Sequence, residues 1–215
     1  MKTPDDYSID TAYSYSDSKE LADYYDDSAN GYDEYADSVG YVLPRLVAQK
    51  AAEFVNVEDL IIDIGCGTGI LGAELSSIKD EMRIHGLDIS SEMIIRAYEK
   101  KKHDGKRHYE MFHWLDLTSE EFILESRYSL MVSSGTFTKG HLDGGHLSKI
   151  LPFMKDDSIA VFSVKSDHFE ESKFMDELIS LNNNGLIDVL EIVEVDSYEN
   201  RNYTAMSKIV TIKIH

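Results

Sequence analysis

The stretch LIIDIGCGTGILGAEL, from Leu60 to Leu75, decides the fold of this chain. Its first five residues are apolar except for Asp63, which is typical of a buried strand, and the residues after Gly69 are typical of a helix. Gly65, Gly67 and Gly69 lie between the two, and glycine is needed where the backbone takes a positive φ or passes close to a ligand. The stretch therefore predicts a strand, a tight turn that can receive an anion, and a helix.

Apolar, β-branched runs alternate with helical stretches after this turn. The predicted strands are 60–64, 82–87, 108–113, 128–133 and 158–164, and the predicted helices are 70–77, 91–102, 119–125, 143–153 and 170–181. Such alternation predicts a parallel, doubly wound sheet. Two further strand-like runs, 187–195 and 203–214, predict an antiparallel hairpin at the edge of the sheet. The expected fold is α/β, Rossmann-like, with a mostly parallel seven-stranded sheet.

The chain before the first strand has a different character. Its first residues are mainly Tyr, Ser and Asp, with too little apolar surface to offset the entropy of ordering, which predicts an arm that is mobile or docked. The residues that follow predict a helix with Ser18 as its N-cap and a break at Asn30-Gly31. Apolar residues at helical spacing then predict a second helix over 41–54. The predicted parts are an acidic arm (1–18), a helical extension or lid (19–57) and a core domain (58–215).

Composition limits the class of protein. The chain has 215 residues, of which 21 are basic and 40 acidic, so its net charge is −19. A nucleic-acid partner is not expected, because proteins that bind phosphate backbones carry the opposite balance. A membrane partner is not expected either, because no apolar run approaches the roughly 20 residues that span a bilayer. The N-terminus lacks a leader pattern and Cys66 is the only cysteine, so a cytoplasmic location is expected.

The glycine spacing separates two classes of nucleotide site. In a dinucleotide loop the third glycine follows the second by three residues, and that position here is Ile70. The segment DIGCGTG instead resembles the first motif of class I, S-adenosylmethionine-dependent methyltransferases. The resemblance implies S-adenosyl-L-methionine as the cofactor, with Gly65, Cys66 and Gly67 beside its methionine part and Asp63 bound to its amino group. A purely structural Asp63, capping the turn, is the alternative.

Two further acids lie at the ends of predicted strands. Asp88 ends the second strand, 25 residues after the acid of the glycine motif, and a carboxylate there can accept both ribose hydroxyls of a nucleoside. Ile89 and Met93 would flank the adenine. Asp116 follows the third strand, where an acid in this fold commonly receives the adenine amino group, and Leu117 is its neighbour. N-caps of the following helices are the alternative roles of Asp88 and Asp116.

The fourth predicted strand continues into a loop of small, hydroxylated and aromatic residues. The run is YSLMVSSGTFTKGHL, from Tyr128 to Leu142, and Ser133 within it is expected to contact the cofactor. DNA amino-methyltransferases resemble one another in an Asp/Asn-Pro-Pro-aromatic signature at this place. This chain has Ser-Ser-Gly-Thr instead, which agrees with the charge argument against nucleic acid.

Several segments together resemble a methyltransferase family named for the Williams–Beuren syndrome region. They are YYDDSANGYDEY, an aromatic-x-x-Pro-Arg helix start (Tyr41 to Arg45), the glycine motif, Gly-Thr-Phe-Thr-x-Gly-His (Gly135 to His141) and VKSDHFEESKF. The resemblance covers about residues 20 to 210 and implies methyl transfer to a small-molecule substrate, with the acceptor left open. The chain departs from the family's usual Lys-Pro-Gly-Gly turn with Lys-Asp-Asp-Ser at 155–158.

Histidines and tyrosines are the remaining candidates for residues of the functional site. His141 is the best candidate for a general base, because an imidazole accepts a proton near neutral pH; a structural or substrate-contact role is the alternative, and His146 is a weaker candidate. Tyr24, Tyr25 and Tyr32 can form a lid whose hydroxyls bind the cofactor's carboxylate, or can simply pack the extension onto the sheet. The histidine spacing matches no metal motif, so no metal site is expected.

Two other functions stay open at this stage. A protein that binds S-adenosylmethionine or S-adenosylhomocysteine without transferring a methyl group, as a sensor or scaffold, would carry the same glycine motif. An NAD-linked oxidoreductase is disfavoured by Ile70 and by the lack of a Tyr-x-x-x-Lys pair.

Overall fold

A seven-stranded sheet forms the centre of the protein. The structure is a computed structural model, and it describes residues 9–15, 17–119, 122–124, 127–200 and 202–215. In sheet order the strands are β3 (Met111–Trp114), β2 (Arg83–Asp88), β1 (Leu60–Ile64), β4 (Tyr128–Phe137), β5 (Met154–Lys165), β7 (Met206–Ile214) and β6 (Ile187–Asp196). The first five run parallel, and β7 is antiparallel to both β5 and β6. The predicted doubly wound sheet with a C-terminal antiparallel hairpin is confirmed.

Helices cover both faces of the sheet. In the described ranges, those before β1 are α1 (Ile9–Ala12), α2 (Ser18–Ser28), α3 (Tyr32–Val39) and α4 (Leu43–Ala51), and those after it are α5 (Ile70–Ile78), α6 (Ser91–Glu99), α7 (Leu147–Ile150), α8 (Ser166–Glu171) and α9 (Phe174–Asn183). Short 3-10 turns flank α7 on either side. In the part of the chain that the structure describes, none of these helices has the length and hydrophobicity needed to cross a membrane.

Strand alternation divides the core into two apolar layers. Ile62 and Ile64 of β1 pack into the larger layer, with the rings of Phe137 and Phe174. Ile61 points to the other face and packs with α4 and α5. These side chains are almost fully buried, and truncating such a phenylalanine to alanine typically costs about 3–5 kcal/mol.

The strand order creates a crevice at the carboxyl edge of the sheet. β1 lies between β2 and β4, so the connections leaving β1 and β4 diverge to opposite faces. In doubly wound sheets, ligands bind outside the carboxyl ends of the strands at this point. The glycine turn between β1 and α5 lies at the crevice, and α2 and α3 lie across it.

Three predicted helices differ from the structure. Helix 119–125 is absent from the described residues 117–119 and 122–124, where Leu117 and Leu124 are buried in the core in an irregular segment. Helix 143–153 is broken into 3-10 and α segments. Helix 170–181 is split by Lys173, which takes a positive φ of 55° between α8 and α9.

Several boundaries also differ: β5 begins at Met154 instead of residue 158, and α6 ends at Glu99 instead of residue 102. The predicted N-cap Ser18 is wrong: Asp17 caps α2, and its Oδ1 accepts the backbone N–H of Lys19 at 2.9 Å and of Glu20 at 3.1 Å. The third strand begins at Met111 instead of residue 108. Its predicted start fails because the Tyr109 side chain packs into the layer formed with α4 and α5. The break at Asn30-Gly31 is present between α2 and α3.

Candidate functional site

A cavity of about 360 Å³ occupies the crevice. Most of the residues singled out from the sequence line it, namely Tyr25, Tyr32, Gly65, Gly67, Asp88, Ile89, Met93, Asp116, Leu117 and His141. Asp63, Cys66 and Ser133 are the expected site residues that do not line it. The sequence therefore predicted the location of the cavity and most of the residues that line it.

The glycines of the turn serve different needs. Gly65 and Gly67 have positive φ angles, of 66° and 52°, which residues other than glycine rarely adopt. A Cβ on Gly65 would also lie 2.1 Å from Oγ1 of Thr136, so this position is sterically closed. A Cβ on Gly67 would meet nothing within 4 Å. Gly67 therefore places bare backbone at the cavity, while Gly65 lets β1 and β4 approach one another.

Asp88 holds the glycine turn at the edge of the cavity. Its Oδ2 accepts the N–H of Gly67 at 2.8 Å and its Oδ1 accepts the N–H of Ser90 at 2.9 Å. Burial raises the pKa of Asp88 and these backbone hydrogen bonds lower it; burial has the larger effect, and the pKa is about 6. The alternative in which Asp88 is the N-cap of α6 is wrong, because Ser90 is the N-cap and accepts the N–H of Met93. Each carboxylate oxygen can accept a further hydrogen bond.

Asp63 lies beneath the turn and away from the cavity. The hydroxyl of Tyr109 donates to its Oδ2 at 2.6 Å, and the N–H of Gly72 donates to the Tyr109 oxygen at 3.1 Å. Asp63 is 1% exposed, and its Oδ1 has no partner among the described residues. Burial raises its pKa to about 7. This geometry matches the structural alternative for Asp63.

Asp116 also lines the cavity. Partial burial raises its pKa, but hydrogen bonds from the hydroxyl and N–H of Thr118, at 2.6 and 2.7 Å, outweigh burial and hold the pKa below its usual value. The carboxylate is therefore ionised at neutral pH. Leu115 and Leu117, its neighbours in sequence, line the same cavity, so a polar acceptor lies beside apolar walls.

Cys66 and Ser133 support the cavity from behind. The N–H of Cys66 donates to the carbonyl of Leu87 at 2.9 Å, and burial raises the pKa of its thiol. The Ser133 hydroxyl donates to the carbonyl of Ile64 at 2.7 Å and is fully buried. Neither side chain lines the cavity: the backbone of Cys66 joins the glycine turn to the end of β2, and the Ser133 hydroxyl joins β4 to the end of β1.

Several lining residues were missed from the sequence. Ser134, Gly135 and Thr136 line the cavity from the end of β4, Gly140 lines it from the loop that follows, and Ser18 and Leu21 line it from α2. Strand alternation could have shown that Ser133 and Ser134 face opposite ways. The register of Ser-Ser-Gly-Thr was ambiguous, because β4 is irregular between Ser133 and Phe137.

His141 is paired with a tyrosine of the helical extension. Its Nδ1 lies 3.1 Å from the carbonyl oxygen of Lys139, and because a carbonyl only accepts, Nδ1 carries the hydrogen. Nε2 therefore accepts the hydroxyl of Tyr25, at 2.7 Å. Burial lowers the pKa of His141, more than the Lys139 hydrogen bond raises it, so the ring is neutral at pH 7.

Two aspartates fix the extension over the crevice. Oδ1 of Asp26 accepts the Ser90 hydroxyl at 2.6 Å and the N–H of Glu92 at 3.0 Å, at the start of α6. Asp33 accepts the Thr68 hydroxyl at 2.5 Å and pairs with Lys100 at 2.6 Å. Sequence patterning gave no signal for these contacts, since acidic residues are common throughout the chain. Within the described residues, no cluster of three or more His, Cys, Asp or Glu side chains could hold a metal ion.

Comparison with protein families gives one match in the core. The model of a methyltransferase domain family matches residues 61–156, from β1 into β5. Malonyl-(acyl-carrier protein) O-methyltransferases are similar: that of Priestia megaterium is 33% identical over 53% of this chain and 39% of its own length, and that of Ilyobacter polytropus is 28% identical over 72% of this chain and 58% of its own length. The chain thus spans about two fifths to three fifths of these curated relatives.

Solved structures share the fold at low sequence identity. Magnesium protoporphyrin IX methyltransferase from Synechocystis PCC 6803, solved with bound S-adenosylmethionine, aligns with a TM-score of 0.65 over 92% of this chain and 97% of its own, at 15% identity. An S-adenosylmethionine-dependent methyltransferase from Clostridium acetobutylicum aligns with a TM-score of 0.61 over 88% and 98% of the two chains, at 16% identity. The core of the chain is therefore similar to methyltransferase domains, and the chain shares the fold of these solved methyltransferases.

Proposed function

We propose that this protein transfers a methyl group from S-adenosylmethionine to a small-molecule acceptor. The observation that carries the proposal is the cavity itself, where a turn of bare glycine backbone is held by a buried carboxylate at the crevice of a doubly wound sheet. The cofactor would supply an electrophilic methyl group on a sulfonium. The relatives named as methyltransferases support the same activity.

The residues around the cavity have the chemistry that this cofactor needs. Asp88 would accept the ribose hydroxyls and Asp116 the adenine amino group, with Ile89, Met93 and Leu117 as apolar contacts of the base. The backbone at Gly65 and Gly67 would lie against the methionine part. Its carboxylate would receive hydroxyl donors from Tyr25 and Tyr32, whose pKa values are raised well above 10 by burial, so that both remain protonated.

The extension would exclude water from the reaction. Methyl transfer from a sulfonium is an in-line displacement that disperses charge, so positioning and desolvation can supply much of the rate. Asp26 and Asp33 hold α2 and α3 over the cavity, and Tyr25 contacts His141 beneath them. The helices would therefore have to move for the cofactor to enter, and would return to cover it.

His141 remains our candidate for the general base. Its Nε2 carries a lone pair at the cavity, and Tyr25 occupies that lone pair in this state. An acceptor hydroxyl could replace the phenol there and pass its proton to Nε2 as the methyl group is transferred. An acceptor that attacks without losing a proton would not need this step.

Three finer points belong to the same proposal. The loop from Gly135 to His141 supports membership of the family named for the Williams–Beuren syndrome region. The net charge of −19 supports a small-molecule acceptor, with neither nucleic acid nor membrane as a partner. The single, buried cysteine supports a cytoplasmic location.

Isothermal titration calorimetry tests the cofactor site directly. We expect one S-adenosylhomocysteine to bind per chain, and Asp88→Ala to weaken binding roughly ten- to a hundredfold, because each charged hydrogen bond contributes about 1.5–3 kcal/mol. Asp156→Ala, at an exposed carboxylate near the N-terminal start of β5 and so at the opposite edge of the sheet, is the control. A folded protein that releases no heat with this ligand would refute the proposal.

Labelled S-adenosylmethionine in a metabolite extract tests transfer itself. A methylated small molecule identified by mass spectrometry is expected. Tight binding of S-adenosylhomocysteine with no labelled product would instead indicate a sensor or scaffold.

A further inference from the structure

A second cavity, of about 470 Å³, lies beside the first. It opens between α3, the residues after α1, the end of β5 and the β6–β7 connection, so it is at the same edge of the sheet. Its volume is within the range of roughly 300–1,000 Å³ that is usual for small-molecule sites. The aromatic and charged side chains that line it are Tyr13, Tyr35, Lys165, Asp167, Tyr198 and Tyr203.

Two tyrosines separate the two cavities. The Tyr13 ring faces the second cavity and meets the ring of His141, which lines the first, with centroids 6.2 Å apart. The Tyr41 ring lies 5.7 Å from that of Tyr198, and its hydroxyl lies so close to Gly135 that a Cβ there would be at 2.6 Å. A single aromatic layer therefore stands between the second cavity and the loop where His141 is held.

The second cavity combines flat aromatic walls with a sheltered cation. Nζ of Lys165 lies 4.2 Å from the centroid of the Tyr13 ring, and the Lys165 side chain is 25% exposed. Asp167 pairs with it at 3.3 Å but is 58% exposed. The positive charge therefore lies nearer the aromatic walls, while the negative charge is largely solvated.

Local charge decides which ligand this cavity suits. The chain as a whole is strongly acidic, and its field repels anions at long range. At physiological ionic strength, however, charges are screened over about 8 Å, so a bound ligand responds mainly to the groups it touches. Those groups are the Lys165 ammonium, which only donates hydrogen bonds, phenol hydroxyls, which can donate them, and the Asp167 carboxylate, which is largely solvated.

We propose that the second cavity binds the methyl acceptor, and that the acceptor is an aromatic compound whose anionic group pairs with Lys165. This inference rests on the proposed function, since it names the substrate class of that reaction. The acceptor's ring lies against Tyr198 and Tyr203, and its nucleophilic atom reaches the first cavity between Tyr13 and Tyr41.

The transfer step balances without a further reactant. The nucleophilic atom of the acceptor forms a bond to the methyl carbon as the carbon–sulfur bond breaks, and the electron pair of that bond stays on sulfur. The sulfonium becomes the neutral thioether of S-adenosylhomocysteine. If the nucleophile is a hydroxyl, its proton passes to Nε2 of His141, and the anionic group at Lys165 is unchanged.

Three matched probes test the chemistry of the cavity. They are 4-hydroxybenzoate, 4-hydroxybenzamide and 4-hydroxybenzylamine, which share a ring and differ in charge. Binding is measured by ligand-observed NMR on the full chain saturated with S-adenosylhomocysteine, so that the first cavity is filled. The acid is expected to bind most tightly, and Lys165→Gln to weaken it roughly tenfold, as for the loss of one charged hydrogen bond.

Variants separate the contribution of the Lys165 charge to binding from the contribution of packing against the Tyr198 ring. Lys165→Arg should retain most of the affinity for the acid, and Lys165→Gln should leave the amide unaffected. Tyr198→Leu should weaken all three probes, and Lys155→Gln, at the opposite end of β5, should weaken none.

The outcomes distinguish this inference from the proposed function. If S-adenosylhomocysteine binds but no probe does, or if the probes bind equally well to Lys165→Gln and Tyr198→Leu variants, the second cavity is not the acceptor site. If the amine binds more tightly than the acid, the inference that the acceptor carries an anionic group is wrong. If S-adenosylhomocysteine itself fails to bind, the proposed function is refuted, and the inference that rests on it is refuted with it.

Discussion

Asp88 is the residue on which the cofactor site depends most strongly. It is 8% exposed, and it keeps its charge by accepting two backbone N–H groups of the turns it joins. Burial nevertheless raises its pKa to about 6, which puts its titration close to physiological pH. A protonated Asp88 would lose acceptor capacity toward ribose hydroxyls and would weaken the hold on Gly67.

We predict that S-adenosylhomocysteine affinity is constant above about pH 7 and falls as pH decreases through about 6. The ionised form binds the ribose, so each unit of pH below the pKa lowers affinity by up to about tenfold. Calorimetry across this range measures it. Asp88→Asn should bind weakly with a flatter profile. An equally steep profile in that variant would contradict the role of Asp88.

Tyr109 acts on the same turn through a different acid. Its hydroxyl donates to Asp63 and accepts from Gly72, and its ring packs so closely on Gly69 and Gly72 that a Cβ on either would lie within 3 Å of it. The side chain thus ties the end of β1 to the first turn of α5.

We predict that Tyr109→Phe destabilises the fold by about 2–4 kcal/mol. The change leaves the buried Asp63 carboxylate and the Gly72 N–H without a partner, and each loss typically costs about 1–3 kcal/mol. Urea unfolding of the variant measures it, with Tyr98→Phe, at a half-exposed ring on α6, as the control. An unchanged free energy of unfolding would show that another group satisfies Asp63.

The sequence predicted which residues line the cavity better in some places than in others, for physical reasons. Asp88 and Asp116 were placed at the crevice, which both line, because parallel strands end at one edge and this fixes where the following residue lies. The hydrogen bond from Tyr109 to Asp63 was not predicted, because the two residues are distant in sequence. That Ser134 lines the cavity and Ser133 does not was not predicted, because the alternation of inward and outward side chains could not be read in an irregular strand.

At the level of elements, strands β2, β3 and β4 share a buried polar cluster. The Tyr128 hydroxyl lies 3.1 Å from both Nδ1 of His85 and Nε2 of His113. A hydroxyl has one hydrogen, so at most one of the two imidazoles accepts from it and at least one donates to it. Burial lowers the pKa values of both histidines, so the folded state favours their neutral forms.

We predict that His85 and His113 contribute less stability as pH falls below about 6.5, the ordinary histidine pKa, because the unfolded chain then binds protons that the folded histidines resist. The histidines therefore add a positive slope to the free energy of unfolding against pH, and the raised pKa values of Asp63 and Asp88 add a slope of the opposite sign. Denaturant unfolding at several pH values measures the slope. His113→Asn should reduce it, whereas His103→Asn, in an exposed turn, should not. Equal slopes in both variants would contradict the assignment.

The elements themselves were predictable where the pattern was strong. All seven strands were expected near their places, because β-branched apolar runs of this length leave few alternatives. The helix predicted over 119–125 is not formed at its described residues 119 and 122–124, because Leu117 and Leu124 both bury in the core, which takes precedence over local propensity. The break in 170–181 at Lys173 carried no sequence signal, since positive φ is rare for lysine.

At the scale of the whole molecule, the extension and the sheet meet through polar contacts near the cavity. Asp26 and Asp33 contact the turns after β2 and β1, and Tyr25 contacts the loop after β4. In contrast, α4 packs into the apolar layer of the core through Val47 and Ala51. This division suggests that the part before residue 40 closes the site, while α4 belongs to the folded core.

We therefore predict that a chain starting at Gly40 folds cooperatively but binds S-adenosylhomocysteine at least about tenfold more weakly, because it lacks the tyrosines and the two aspartates that cover the cavity. Circular dichroism during urea unfolding tests the fold, and calorimetry tests binding. The full chain carrying Asp26→Ala and Asp33→Ala is the matched variant, in which the tyrosines remain and only their anchors are lost; it should bind with intermediate affinity. Full affinity in the shortened chain would show that the extension only packs on the sheet, and failure of that chain to fold would place α2 and α3 within the core.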